Sequence, residues 1–218
     1  MAKMLVLDTE HTNREENSEI TELGYIIFDL ETKKVDKHIS YIFYDTEAKP
    51  LRNRYYINKY SKVKQLINNR DIIITSTKKA IKAFERDLRK VEILVGYNLI
   101  SDLDIINLIS DRLGFNSSVN SKQYIDIYFN SIWLLRNDEK YFNFCLEDKI
   151  EHFSPAQRMR FTQDLVYKYL FNEERKGHHV AYLDCRDTLL IMDRLSRLGK
   201  IKKGLRFKMY NYNTTMNI

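Results

Sequence analysis

Met4 to Glu10 reads MLVLDTE, and we expect the fold to be organised around this stretch. A run of branched apolar residues followed by an acid, a threonine and a second acid is typical of a buried strand that carries carboxylates to a sheet edge. Side chains repeat every two residues in a strand, so Asp8 and Glu10 point to the same side. Paired buried acids need a positive partner, and hard divalent cations such as Mg²⁺ and Mn²⁺ take oxygen ligands. The triplet alone is equally compatible with a surface strand end.

The length and composition predict one intracellular domain. A chain of 218 residues with 6 Gly and 2 Pro can bury a substantial core and contains little linker-like sequence. No stretch approaches the roughly 18 continuous apolar residues of a membrane span, and the first strand begins without a signal peptide. We therefore expect a cytoplasmic protein that does not contact membranes. Cys145 and Cys185 lie far apart in the sequence and are predicted to be free thiols.

The net charge of +6 is concentrated at the C-terminus. Residues 199–218 contain no acids and five basic side chains, namely Lys200, Lys202, Lys203, Arg206 and Lys208. We therefore divide the chain into a domain over 1–198 and a basic tail over 199–218. Such a tail is typical of contact with a polyanion such as nucleic acid, but a solvated end without a partner has the same composition.

A second candidate for nucleic-acid contact is the polar segment 45–69. Its rings and cations alternate (Arg52, Arg54, Tyr55, Tyr56, Lys59, Tyr60), as on surfaces that bind single strands. The alternative is that these tyrosines pack under a long loop. A short helix is predicted over 62–68.

The remaining pattern predicts an α/β fold with a mixed five-stranded sheet flanked by helices. The predicted strands are 4–10, 22–29, 35–43, 93–97 and 124–127. The predicted helices are 80–91 with Thr77 as N-cap, one ending near Gly114, one ending at Leu135, 144–152, 155–171 and 179–198.

Two of these helices place an acid on an otherwise apolar face. Asp102 shares a face with Ile106, Ile109 and Leu113, and Asp184 shares one with Thr188, Ile191, Leu195 and Leu198. Asp104 falls on a different face and is the less suitable inward acid. An acid at the start of a helix can also serve only the helix dipole. His179 lies five residues before Asp184.

Together these residues resemble the three motifs of the DEDDh 3′ to 5′ exonucleases. The first motif, D-x-E, corresponds to Asp8-Thr9-Glu10, and the second, an Asn followed four residues later by Asp, to Asn98 and Asp102. The third, H-x-A-x-x-D, corresponds to residues 179–184, and the segment ITELG resembles the start of the family's second strand. The sister group has a Tyr four residues before the last Asp, where this chain has Val180. His178 lacks the motif spacing.

The resemblance implies a ribonuclease H-like fold and a metal-dependent exonuclease that releases nucleoside 5′-monophosphates from 3′ ends of single-stranded DNA or RNA. Asp8, Glu10, Asp102 and Asp184 would hold two Mg²⁺ or Mn²⁺ ions, and His179 would be the general base. The expected substrate contacts are Thr9, His11, Thr12 and Asn98.

Two departures from the family pattern concern the shape of the pocket. His11-Thr12-Asn13 replaces a common T-T-G run, and Tyr97 and Ser101 replace a His and a Phe. Together with the basic tail, these changes leave open a catalytically silent nucleic-acid-binding or partner-docking module. An endonuclease of the ribonuclease H kind is a third hypothesis. The choice between DNA and RNA, the substrate length, the pathway and the choice between monomer and homodimer stay open.

Overall fold

A computed structural model describes residues 3–12, 19–46, 71–147, 159–175 and 179–202. Over these residues the protein has an α/β fold, in which helices cover a mixed β-sheet. The strands are β1 Lys3–His11, β2 Ile20–Asp29, β3 Lys34–Phe43, β4 Ile72–Thr75, β5 Ile93–Gly96 and β6 Gln123–Asp126. The helices are α1 Thr77–Leu88, α2 Leu99–Arg112, α3 Ile127–Leu135, α4 Glu139–Glu147, α5 Gln163–Phe171 and α6 Ala181–Leu198, with a 3₁₀ turn at Val119–Ser121.

The described strands lie in the order β4-β3-β2-β1-β5-β6. β1, β2 and β3 form the predicted antiparallel meander, whereas β5 and β6 continue from β1 in parallel. The mixed sheet is therefore confirmed, but it has six strands over the described residues, because β4 pairs in parallel with β3. β4 is only four residues long, and two of them, Ile73 and Ile74, are exposed, although its β-branched residues favour a strand.

The two faces of β1 contribute to different cores. Leu5 and Leu7 pack into a core formed with α1 and α2, and Met4 and Val6 pack into one formed with α3, α4, α5 and α6. This alternation follows from the period of two along a strand. Asp8 and Glu10 continue the row of Met4 and Val6, so they are directed to the face that α6 covers.

Most of the predicted helices are present, with different boundaries. Ser76, not Thr77, is the N-cap of α1. α4 begins at Glu139, before the predicted 144, and α5 begins only at Gln163, because the Thr162 hydroxyl caps it by accepting from the backbone N–H of Leu165 at 3.4 Å. α6 begins two residues late because His179 has a left-handed φ of 59°. The predicted helix 62–68, most of the segment 45–69 and residues 203–218 of the tail lie outside the described residues.

Gly24 allows the first turn of α6 to lie against the sheet. It pairs with Asp8 across β1 and β2, and a Cβ at this position would lie 2.5 Å from the carbonyl carbon of Ala181. The Cys185 thiol donates to the Gly24 carbonyl at 3.3 Å. The absence of a side chain on β2 therefore lets α6 bring Asp184 next to Asp8.

We expect Gly24→Ala to destabilise the protein by about 1–3 kcal/mol, since the atoms it would meet are backbone and cannot move aside. The free energy of unfolding in urea measures this effect. Gly199→Ala is the matched control, because its Cβ would meet only the end of the Leu134 side chain, which can rotate. Equal stability of both variants would contradict a tight approach of α6 at Gly24.

Both cysteines are buried free thiols, as predicted. None of the described helices is long and apolar enough to cross a membrane.

Candidate active site

A polar cleft of about 390 Å³ opens at the edge of the sheet where β1, β5 and β6 end. The carboxyl ends of neighbouring parallel strands meet at one edge, and such edges are common ligand sites. The lining comes from the end of β1, the starts of α2, α5 and α6 and the residues before α6. It consists of Asp8, Thr9, Glu10, His11, Tyr97, Asn98, Ser101, Asp102, Thr162, Gln163, Asp164, Arg175, His179 and Asp184.

Three of the predicted acids form a compact group in this cleft. One carboxylate oxygen from each of Asp8, Glu10 and Asp184 lies within 4.8 Å of the others. Asp8 and Glu10 come from the same side of β1, and Asp184 comes from the first turn of α6. These residues of the D-x-E and H-x-A-x-x-D patterns therefore lie together in the fold, and their role as metal ligands stays a prediction.

Asp102 reaches the cleft from the other face of the sheet. Its Oδ1 accepts hydrogen bonds from the backbone N–H of Thr9 at 2.9 Å and from the Thr9 hydroxyl at 2.6 Å. Thr9 belongs to the opposite row of β1 from Asp8, which explains why Asp102 stands beside the group of three and not within it. As predicted, Asp102 is buried and Asp104 is exposed.

The acids repel one another strongly. Burial and the charges of Asp184, Asp102, Glu10 and Glu22 raise the pKa of Asp8 well above its usual range. Glu22 adds to this field from β2, where its Oε1 accepts from the Ala181 N–H at 3.0 Å and from the Ser40 hydroxyl at 2.9 Å. A divalent cation bound between oxygens of Asp8, Glu10 and Asp184 would relieve the repulsion, and the all-oxygen donor set suits Mg²⁺ or Mn²⁺.

His179 lies at the rim of the cleft. Its side chain is 71% exposed, and its Nδ1 is 4.0 Å from Glu10 Oε1. This position leaves the imidazole accessible to solvent while it adjoins the acids. His178 lies outside the described residues.

The predicted substrate contacts are distributed unevenly. Thr9, His11 and Asn98 line the cleft, whereas Thr12 does not. The Thr12 hydroxyl instead accepts from the backbone N–H of Glu19 at 3.2 Å, which joins the residue after β1 to the residue before β2. A contact between Thr12 and substrate stays a prediction.

Several residues of the site were not predicted from the sequence. Asp126 caps α3 and accepts the backbone N–H of Asn98 at 3.1 Å, which supports the left-handed Asn98 at the start of α2. Burial raises the pKa of Asp126 to about 6, although these N–H groups oppose the rise. Its position at the end of a predicted strand was a usable signal.

Gln163 donates to the backbone carbonyl of Asp184 at 2.9 Å, and nothing in its local sequence indicated this role.

Arg175 is the most prominent of the residues that were missed. Its buried guanidinium contacts the side chains of Asp184, Asp187 and Asp164. No pattern in its local sequence marks this position. Arg175 therefore places a positive charge directly on one of the three grouped acids.

Comparison with solved structures identifies the architecture. The chain superimposes on the nuclease domain of 3′hExo, a DEDDh family member bound to rAMP, with a TM-score of 0.63 over 93% of this chain and 96% of that one, at 11% identity. The fold is that of the DEDDh exonucleases. The cell-death related nuclease CRN-4 gives a TM-score of 0.58 at 13% identity, and E. coli exonuclease I in complex with a dT13 oligonucleotide gives 0.57 at 15% identity.

The region that matches this chain covers different fractions of the neighbours' chains. This chain spans 64% of CRN-4 and 41% of the exonuclease I chain, although about 90% of this chain is matched in each case. No protein-family model and no curated protein sequence matches the chain. At these low identities the structural likeness shows the fold alone.

Proposed function

We infer that this protein is a metal-dependent 3′ to 5′ exonuclease that hydrolyses single-stranded DNA or RNA to nucleoside 5′-monophosphates. The observation that carries the inference is the group of Asp8, Glu10 and Asp184 in a cleft with His179 at its rim, on a DEDDh fold. A nucleic-acid substrate is supported by two neighbours, one bound to rAMP and the other to a dT13 oligonucleotide.

Asp8, Glu10 and Asp184, with Asp102 beside them, would hold the metal ions. Two bound divalent ions would stabilise charge on the attacking and leaving oxygens of a phosphodiester. The proposal of two ions follows the family resemblance, and the donors present are numerous enough for both.

His179 would take the proton from the attacking water. An imidazole titrates near working pH, and the exposed ring at the rim can pass the proton on to solvent. The cleft volume of about 390 Å³ is near the lower end for ligand sites, which suits the terminal residue of a strand better than a duplex.

One observation favours a different function. Arg175 already supplies a positive charge to Asp184, so the cleft has a counterion of its own, as a catalytically silent binding module would need. Against this module, Arg175 contacts Asp184, but burial and the charges of the neighbouring acids still raise the pKa of Asp8 well above its usual range.

A degradation time course distinguishes the two functions. DNA and RNA single strands labelled at the 5′ end are incubated with Mg²⁺ or Mn²⁺, with a chelator control and Asp184→Ala. We expect a ladder that shortens from the 3′ end, is absent in both controls and ranks DNA against RNA. Intact strands under every metal condition, with binding retained, would favour the silent module. Internal cuts would favour the endonuclease.

A further inference from the structure

Arg175 connects α5 to α6 beside the candidate metal ligands. Its side chain is 5% exposed. Nε donates to Asp187 Oδ2 at 3.0 Å, Nη1 to Asp164 Oδ1, and Nη2 to Asp184 Oδ1. One planar guanidinium is thus shared by an acid of α5 and two acids of α6, a geometry that only the fork of an arginine can supply.

The surroundings fix Arg175 in place. Burial alone lowers the pKa of Arg175, but the charges of Asp184, Asp164 and Asp187 raise it above the usual value, so the guanidinium remains charged. Asp187 is 1% exposed and also accepts from Arg186 Nε at 3.1 Å and Nη2 at 3.0 Å. Asp187 is therefore held at both of its carboxylate oxygens.

A contact with Arg175 is compatible with metal binding by the same acid. A carboxylate has two oxygens, so Asp184 can accept from the guanidinium at Oδ1 and offer Oδ2 to a metal. Gln163 holds the same residue through its backbone carbonyl and donates to the Thr188 hydroxyl at 3.0 Å. Arg175 thus holds the side chain of Asp184, and Gln163 holds its backbone.

We propose that Arg175 is a positioning residue that orients Asp184 for metal binding. The proposal rests on the proposed function, since it assumes that Asp184 is a metal ligand. Groups that hydrogen-bond to a ligating carboxylate fix its direction, and their loss typically lowers metal affinity by about 10–100-fold. Without Arg175, the Asp184 side chain would rotate among the neighbouring acids, and their mutual repulsion would increase.

The test is titration of the metal-free full chain with Mn²⁺ in a calorimeter, without substrate, for the wild type, Arg175→Met and Arg186→Met. Arg186→Met is the matched control, because it removes the same charge from Asp187 while leaving the contact to Asp184 intact. We expect the Mn²⁺ dissociation constant to rise about 10–100-fold in Arg175→Met and to change less than about 3-fold in Arg186→Met.

Circular dichroism would show whether Arg175→Met folds. If it does not, Arg175→Lys serves as the test variant in its place. A lysine keeps the charge but cannot bridge three carboxylates, so we expect an intermediate loss of Mn²⁺ affinity. Wild-type affinity in the folded variants, or tighter binding, would overturn the proposal and identify Arg175 as a structural or competing counterion. Absence of Mn²⁺ binding by the wild type would overturn the proposed function as well.

Discussion

Asp8→Asn is expected to reduce metal-dependent hydrolysis of single strands by about 10³-fold or more. Asp8 belongs to the group of three acids, and an amide in its place removes one negatively charged oxygen donor from this group. A loss of this size corresponds to about 4 kcal/mol of transition-state stabilisation, within the range expected when a metal ligand is removed. The measurement is the initial rate on a labelled oligonucleotide at saturating Mn²⁺.

The same substitution is expected to raise the stability of the metal-free protein at neutral pH. Because the pKa of Asp8 is higher in the folded state than in the unfolded state, the folded protein binds this proton more tightly. The contribution of Asp8 to stability therefore falls as the pH rises from about 3.9, the unfolded value, towards the raised folded value. Asp8→Asn removes this loss of stability with rising pH, because an asparagine side chain does not titrate.

Urea unfolding in the presence of chelator, at several pH values, checks the expectation for stability. Asp104→Asn is the matched control, since Asp104 is an exposed acid of α2 outside the cleft lining. Asp104→Asn should leave both the rate of hydrolysis and the pH dependence of the free energy of unfolding as in the wild type. A stable, fully active Asp8→Asn enzyme would contradict the assignment of Asp8 as a metal ligand, and a destabilised metal-free variant would contradict the repulsion in the cleft.

His179→Ala is expected to slow hydrolysis by about 10²–10⁴-fold while leaving Mn²⁺ affinity within about 3-fold of the wild type. The imidazole adjoins the acids at 4.0 Å from Glu10 but is largely exposed, so its removal leaves the packing of the acids intact. Single-turnover rates and calorimetric Mn²⁺ titration separate the two effects.

His38→Ala is the control for His179. His38 is a partly exposed histidine of β3, bonded to Asp71 at 2.9 Å, and it does not line the cleft. It should retain the wild-type rate. Unchanged turnover in His179→Ala would remove His179 from the reaction, and loss of Mn²⁺ binding would assign it a role in holding the metal.

The local patterns of single elements were readable from the sequence. The alternation in β1 predicted that Asp8 and Glu10 share a side, and the helical spacing predicted that Asp102 and Asp184 are buried while Asp104 is exposed. Leu198 is an exception, because it shares the predicted face of α6 but is 57% exposed at the helix end, where the core no longer covers it.

Elements and boundaries that depend on contacts with other parts of the chain were predicted less accurately. β4 pairs with the edge of β3, and its β-branched residues favour a strand, but its length of four residues gives only a weak signal. The start of α5 depends on the cap at Thr162, and the start of α6 follows the left-handed His179. Boundaries of this kind are set by single hydrogen bonds or backbone angles, to which hydrophobic periodicity is insensitive.

By itself, the sequence determined which side chains each strand and helix directs inward, because a strand repeats every two residues and a helix every 3.6. Only the tertiary structure decided which of them meet. Gly24 lets α6 bring Asp184 to Asp8, while Asp102 arrives through Thr9 from the opposite face. Arg175 joins the site although no local pattern marks it, because ion pairs between separate elements depend on how those elements pack.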